Sequence, residues 1–357
     1  MNKNNYAIIM AGGVGSRFWP LSKEEKPKQF LDILGVGETL IQQTFRRLSL
    51  ICPTENIFIV TNHKYFSLCE NQISEINENQ ILCEPVMRNT APCIAYAAFK
   101  IHALNNQANL IVAPSDHLIT DDAEYVRTVN DIFETTKGNH YLVTLGIKAT
   151  RPDTGYGYIQ YDDINSLENN TNIKKVKTFT EKPNRDLALQ FLDSGDFLWN
   201  AGIFAFSSKS IIEAFKKHLR DIYDIFSTGD GIYNTNKEQE FVDRVFPTCK
   251  NISIDYGIFE KSDMVYVYPS SFGWSDLGTW VSTDNHLKKD DDNNAVRGSQ
   301  INLYESKENI IILDNIKECV VSGLNGYIVV QSDESLLICR KSDEQEIKKF
   351  VNDLKKI

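Results

Sequence analysis

Over roughly the first 285 residues, short apolar runs alternate with segments of helical spacing, and this alternation limits the fold more than any other feature of the chain. Residues 6–10, 57–61, 110–113 and 141–145 are strand-like and bounded by Gly, Pro, Asn or Asp. Between them, residues 40–50 and 92–104 carry apolar side chains at helical spacing. Strands that alternate with helices predict an α/β, Rossmann-like fold, a mostly parallel sheet with helices on both faces. Such sheets bind ligands beyond the carboxyl ends of their strands, so the residues that follow strands are the first to weigh.

The pattern breaks at residues 286–299, HLKKDDDNNAVRGS, which are charged, Asn-rich and without apolar periodicity. Beyond the break, short β-like runs at 310–313, 320–321, 327–330 and 336–339 follow one another with no helix between them. Ile347, Phe350, Val351 and Leu354 then mark one face of a closing helix. The expected division is a domain at 1–287 and a small β domain at 295–357. Periodicity leaves open whether the latter is a few coils of β-helix or a small sandwich.

Composition excludes several classes of function. A net charge of −10 argues against broad nucleic-acid binding, which wants a basic surface. It is compatible with small phosphorylated substrates, for which cations need only be local. No apolar stretch approaches the roughly 20 residues of a membrane span, and residues 6–11 run straight into glycines rather than into a cleavage-like region. The seven cysteines form no CxxC pair and lack zinc-ligand spacing, so reduced thiols in a cytoplasmic protein are expected.

Several loops carry chemistry. After the first strand comes AGGVGSRFWP, in which Gly12, Gly13 and Gly15 let main-chain N–H groups approach a phosphate. It lacks the Gly-Lys-Ser/Thr of a Walker A loop, and Phe18 stands where a dinucleotide fingerprint has its third glycine. An oxidoreductase also needs an acidic residue ending the second strand, which here reads IFIVTNH. A plain tight turn remains the competing reading; Arg17 favours a phosphate loop, because a guanidinium grips phosphate with two hydrogen bonds. Lys26 and Lys28 flank Pro27 close behind.

In CEPVMRNTAP, Asn89 or Thr90 suits an N-cap and Pro92 a first helical turn, which leaves Glu84 and Arg88 without an account. LIVAPSDH is a buried-type strand that places Asp116 just past its end, a position equally suited to a metal ligand or a helix cap. His117 reads as a structural hydrogen-bonder. TGYGYI, TEKP, WNAGIF and FGWSDLGTW follow, each with an innocent explanation as a hairpin, a surface ion pair, a core tryptophan or a capped turn.

Taken in order, GGxGxR–WP, PKQF, EPxxRNTAP, PSDH, GYGYI, EKP, WNxGxF and FGWSDxG closely resemble the motif series of the bacterial mannose-1-phosphate guanylyltransferases, over almost the whole chain. Phe18 and Ala201 depart from the Leu and Ser common in that family. The resemblance implies nucleotidyl transfer from GTP to α-D-mannose 1-phosphate, giving GDP-mannose and pyrophosphate, in an enzyme without the phosphomannose isomerase domain that some relatives add. Other hexose or heptose 1-phosphates, or another nucleotide, are the nearest alternatives. It implies Arg17, Lys28, Lys182, Asp116 and Asp276 as catalytic residues, the two aspartates as ligands of Mg²⁺. Gly12, Gly13, Gly15, Ser16, Glu84, Asn89, Thr90 and Ser115 are implied on the nucleotide side. Gly155, Tyr156, Glu181 and Asn200 are implied on the sugar-phosphate side. It further implies a left-handed β-helical C-terminal segment with a part in homodimerisation. Glu84 is expected to read guanine, since an ionised carboxylate can accept from N1–H and the 2-amino group in parallel; pairing with Arg88 is the competing role.

Overall fold

The structure is a computed structural model and describes residues 1–167, 170–354 and 356. The chain divides into two compact units, one of Met1–Gly12, Thr44–Ser115 and Ile119–Trp274, the other of Gly13–Gln43, Asp116–Leu118 and Ser275–Ile357. The division expected at 287 follows the chain, whereas these units interleave. The physical reason lies in the second unit's core, described below.

The first unit is built on a nine-stranded sheet. Its strands lie in the order Ile81–Glu84, Ile57–Asn62, Asn5–Ala11, Asn109–Pro114, Phe197–Ser207, Leu142–Lys148, Val265–Ser270, Asn170–Thr180 and Tyr158–Leu167. Ile8 stands beside Phe58 on one side and Val112 on the other, both in parallel register, and Asn62 is in parallel register with Glu84. Consequently Gly12, Glu84 and Ser115 all leave the sheet at one edge, at or just past the carboxyl ends of their strands. Ile8, Ile9, Ile59, Val60, Ile111 and Val112 are fully buried. Strands covered on both faces need such continuous apolar runs, which is why these were legible in the sequence. Helix Thr90–Leu104 buries Ala91, Ile94, Ala95, Ala97, Ala98 and Ile101, a nearly all-round apolar surface that belongs in a core.

Besides Ile81–Glu84, three antiparallel strands were not expected. Phe197–Ser207 inserts antiparallel between Asn109–Pro114 and Leu142–Lys148, and Tyr158–Leu167 pairs antiparallel with both it and Asn170–Thr180. The sheet is therefore mixed at this side, and these strands carry the GYGYI, EKP and WNxGxF motifs on or beside them.

In the second unit, Ala295–Arg297, Ile310–Leu313 and Tyr327–Ser332 stack in parallel, with Ser335–Arg340 closing the row antiparallel. Gln300–Tyr304 stacks in parallel on Glu318–Ser322. Parallel stacking of successive passes is the pattern of a β-solenoid and not of a sandwich; the left hand rests on the resemblance. Asn309 joins the passes: its amide donates to Asn294 Oδ1 at 2.9 Å and to Leu324 O at 2.8 Å, and its Oδ1 accepts from Tyr327 N–H at 2.8 Å. The helix Ile347–Leu354 follows, with Ile347 buried and Leu354 54% exposed. Ile311, Leu313, Val321 and Val329 form one core cluster among the coils, and a second, larger one ties the N-terminal segment to them. Phe18, Leu31, Ile33 and Leu40 pack with Trp280, Ile310, Ile312, Ile328, Val330, Leu337 and Ile347. The N-terminal segment 13–43 thus buries its apolar side chains among the coils, and this shared burial sets the units' boundaries. All seven cysteines are free thiols, six of them buried.

Candidate active site

In the second unit the glycine turn runs from Gly13 into a 3₁₀ turn, Ser16–Phe18. Gly15 sits at φ +71°, and a Cβ there would overlap the Lys28 side chain, so this position requires glycine on both counts. At Gly13 a Cβ would meet nothing within 4 Å. Arg17 is exposed beside Phe18, which is buried and packs its ring on Trp280 with centroids 4.8 Å apart.

Lys28 is the pivot of this unit. Its side chain is only 4% exposed, and its ammonium donates to Asp116 Oδ2 at 3.1 Å and to the Asp276 carbonyl at 2.7 Å. The two aspartates expected to share a metal are therefore brought to one cation. Burial pushes the Asp116 carboxyl up, but Lys28 and then His117 outweigh it and hold it below the usual carboxylate range. His117 Nε2 lies 3.9 Å from Asp116 Oδ1. The Asp276 carboxylate accepts the Gly278 N–H at 3.0 Å, which fixes the turn after it. Among the described residues no group of three or more His, Cys, Asp or Glu side chains could hold a metal. Two hard carboxylates still suit Mg²⁺, which binds few protein ligands and keeps waters and phosphate oxygens for the rest.

In the first unit a second cluster forms around Asn200. Its amide donates to Asp255 Oδ1 at 2.8 Å, its Oδ1 accepts from the Thr144 hydroxyl at 2.9 Å, and its N–H donates to Gly157 O at 2.8 Å. A Cβ on Gly157 would overlap Glu181, so the GYG bend is where backbone and carboxylate meet. Glu181 pairs with Lys182, whose φ of 47° is left-handed and whose N–H donates to Tyr156 O at 3.2 Å. A non-glycine residue in that conformation marks a position held by its surroundings. Burial acts against the Lys182 ammonium, but Glu181 and Asp255 outweigh it and hold it above its usual range. Tyr156 stacks edge-on against Trp199 and Trp274, at 5.1 and 5.3 Å, and Gly155 N–H donates to Asp153 at 2.9 Å.

Sequence reasoning missed Asp255. Burial and the neighbouring Glu181 charge raise its carboxyl to about 6, against the pull of Asn200 and Lys182. Nothing in ISIDYG singles it out, because its significance arises only from folding beside Asn200 and Glu181.

Of the residues expected on the nucleotide side, Asn89 is the N-cap of Thr90–Leu104, at φ 69° and accepting from Thr90 N–H at 2.9 Å. Thr90 Oγ1 accepts from Ile254 N–H at 2.9 Å. Ser115 is 2% exposed and its N–H donates to Met10 O at 3.0 Å, which leaves it a backbone role. Glu84 departs most from expectation. It is 6% exposed, its Oε1 has no hydrogen-bond partner among the described residues, and burial pushes it up to about 8 against a bond from Cys93. Arg88 donates instead to Pro247 O at 2.7 Å. At neutral pH the Glu84 carboxyl is therefore mostly protonated, and it is not acceptor-only.

Comparison with known proteins finds relatives over nearly the whole chain. Residues 6–292 match the nucleotidyl transferase family model. The chain is 36% identical over 354 residues to a mannose-1-phosphate guanylyltransferase of Salmonella muenchen, covering 98% of this chain and 73% of that one. It is 34% identical to the alginate biosynthesis protein AlgA of Pseudomonas aeruginosa, covering 97% and 71%. A crystal structure from Thermus thermophilus, described as a mannose-1-phosphate geranyltransferase, superposes with a TM-score of 0.85 at 28% identity, covering 99% of both chains.

Proposed function

The chain belongs to the nucleotidyl transferase family, and from that premise we propose that it transfers the guanylyl group of GTP to α-D-mannose 1-phosphate, releasing pyrophosphate. A phosphate oxygen of the sugar phosphate attacks the α-phosphorus in line, and the bond from that phosphorus to the pyrophosphate oxygen breaks. The observation that carries this reading is Lys28, buried and joined to Asp116 and to the Asp276 carbonyl beside a glycine turn. Such a reaction asks a protein for position and charge more than for covalent chemistry.

In this reading the turn from Gly12 to Ser16 receives the triphosphate on its N–H groups. Arg17 and Lys28 offset the charge gathering on the departing pyrophosphate. Asp116 and Asp276 hold Mg²⁺, which when bound neutralises phosphate oxygens and holds them in line. Lys182 takes the phosphate of the sugar, whose charge would draw its ammonium away from Glu181. Glu181, Asn200 and the backbone at Gly155 and Tyr156 accept and donate to the sugar hydroxyls. Glu84, Asn89, Thr90 and Ser115 face the nucleotide, with Glu84 toward the base. When protonated, Glu84 matches the guanine O6 and N1–H; once ionised, it matches N1–H and the 2-amino group.

Among the described residues no helix is long and apolar enough to cross a membrane, and the enzyme is proposed to work in the cytoplasm. Val320, Leu336 and Ile338 leave apolar side chains exposed on the coils by 68, 51 and 55%, which supports a homodimer through that region; sedimentation velocity tests it. The activity itself is tested by measuring pyrophosphate release for four nucleoside triphosphates against a panel of hexose and heptose 1-phosphates. GTP with mannose 1-phosphate should give the highest kcat/KM. A higher value for any other pair would replace this reading with that pair.

A further inference from the structure

Glu344 lies in the 3₁₀ segment Lys341–Glu346, between the last strand of the coils and the terminal helix. Its Oε2 accepts the Val281 N–H at 2.8 Å. Val281 is the second residue of the short helix Trp280–Asp284, which begins just after Asp276, Leu277 and Gly278. The first N–H groups of a helix have no partner within it. Here Thr279 Oγ1 takes the Ser282 N–H at 3.1 Å, and Val281 is left to a carboxylate that lies far along the chain. Beside Val281, Trp280 is fully buried against Phe18, and Phe18 adjoins Arg17. The same short helix therefore abuts the turn that carries Arg17 and continues the turn that carries Asp276.

We infer that Glu344 is a positioning residue for nucleotide transfer: by holding the Val281 N–H it fixes the Asp276 turn and, through Trp280 and Phe18, the Arg17 turn. This rests on the proposed roles of Asp276 and Arg17. Val281 itself is 38% exposed, so water would satisfy its N–H if Glu344 were lost. The loss is then felt less as instability than as a turn no longer held in place. Burial pushes the Glu344 carboxyl up, while the Val281 N–H, the Thr279 hydroxyl and the nearby Arg17 charge pull it back.

Three full-length variants test this: Glu344→Ala, Glu344→Gln, which keeps an acceptor, and Val281→Pro, which removes the N–H and leaves Glu344 in place. For Glu344→Ala, the KM for GTP and the Mg²⁺ concentration for half-activity should rise about tenfold, the scale of one lost hydrogen bond to a charged group. The KM for mannose 1-phosphate should stay within about twofold of the parent's. Calorimetric binding of Mg·GTP should weaken by the same factor. Glu344→Gln should recover most of the loss, Val281→Pro should reproduce it, and combining Val281→Pro with Glu344→Ala should add little. The inference is overturned if Glu344→Ala or Val281→Pro binds Mg·GTP as the parent does, or if Glu344→Gln is as impaired as Glu344→Ala. Should Glu344→Ala not fold, Glu344→Gln and Val281→Pro decide it alone. The parent is assayed first. If it prefers another substrate pair, the functional reading fails, and the variants are scored on that pair by the same criteria.

Discussion

Gly13 and Gly15 lie two residues apart in one turn, yet substitution by alanine should fail at one for reasons of folding and at the other only when substrate arrives. At Gly15 the φ of +71° would cost an alanine about 1–2 kcal/mol. The added methyl would also overlap the Lys28 side chain, which is wedged in place with 4% exposure. To make room, Lys28 must give up at least one of its bonds, to Asp116 at 3.1 Å or to the Asp276 carbonyl at 2.7 Å. Hydrogen bonds to charged groups contribute roughly 1.5–3 kcal/mol each, so about 3–5 kcal/mol is lost with one such bond and the backbone strain together. That should lower the melting temperature on the order of 10 °C. Gly13 lacks a left-handed φ, and a Cβ there points into open space. Gly13→Ala should melt with the parent while its KM for GTP rises, because the methyl occupies room the phosphates need. Differential scanning calorimetry and steady-state kinetics on both variants make the comparison. If Gly15→Ala melted within a degree of the parent, the reasoning that Lys28 is wedged against this glycine would be wrong.

Other outcomes follow from the same geometry. Asp116→Asn and Asp276→Asn should each cut kcat by about 10²–10³ with little change in melting temperature; full activity in either would remove it from the metal-binding pair. Arg17→Ala should chiefly raise the KM for GTP and Lys182→Ala that for mannose 1-phosphate, alongside losses in kcat. The same pattern in both variants would defeat the assignment of sides. Asp255 is held protonated below about 6 by burial and by Glu181, and only its ionised form is acceptor-only. The kcat/KM for mannose 1-phosphate should therefore climb as pH rises through about 6, and Asp255→Asn should flatten that limb; an unchanged limb would exclude Asp255 as its source. Glu84 ionises near 8, and only then can it take the 2-amino group that ITP lacks. The preference for GTP over ITP should accordingly grow between pH 7 and 9, and a flat ratio would mean the base is read elsewhere.

Much of this site could be read before the fold was known. Asp116 stands where a buried parallel strand ends, and a run such as LIVAP followed by an acid announces that position. Glu181, Lys182 and Asn200 were each ambiguous in sequence and meet in the folded unit, because the antiparallel strands Asn170–Thr180 and Phe197–Ser207 bring them to the GYG bend. What escaped detection was set by burial and not by residue type. Glu84 looks like an exposed acceptor beside a proline, and only its enclosure by the sheet raises it to about 8. Asp255 and Glu344 have no neighbours in sequence that mark them; their partners, Asn200 and Val281, are distant along the chain. Two of the three antiparallel strands were missed for a related reason. Residues 158–167 and 170–180 are half-exposed and mostly polar, and give no clean alternation to detect.

The shared core of the second unit also has a bearing on the order of events during synthesis. Phe18, Leu31 and Ile33 find their packing partners at Trp280, Ile310, Ile328 and Ile347. A ribosome adding about 5–20 residues per second needs roughly 15–60 s to traverse the intervening stretch. During that interval the first strand already has the means to pair with Ile57–Asn62 and Asn109–Pro114, while the loop that follows it waits with its aromatic and aliphatic side chains uncovered. The nascent chain therefore carries an apolar segment whose packing partners at Trp280 to Ile347 emerge much later, and such a segment is a natural client for a chaperone until they do.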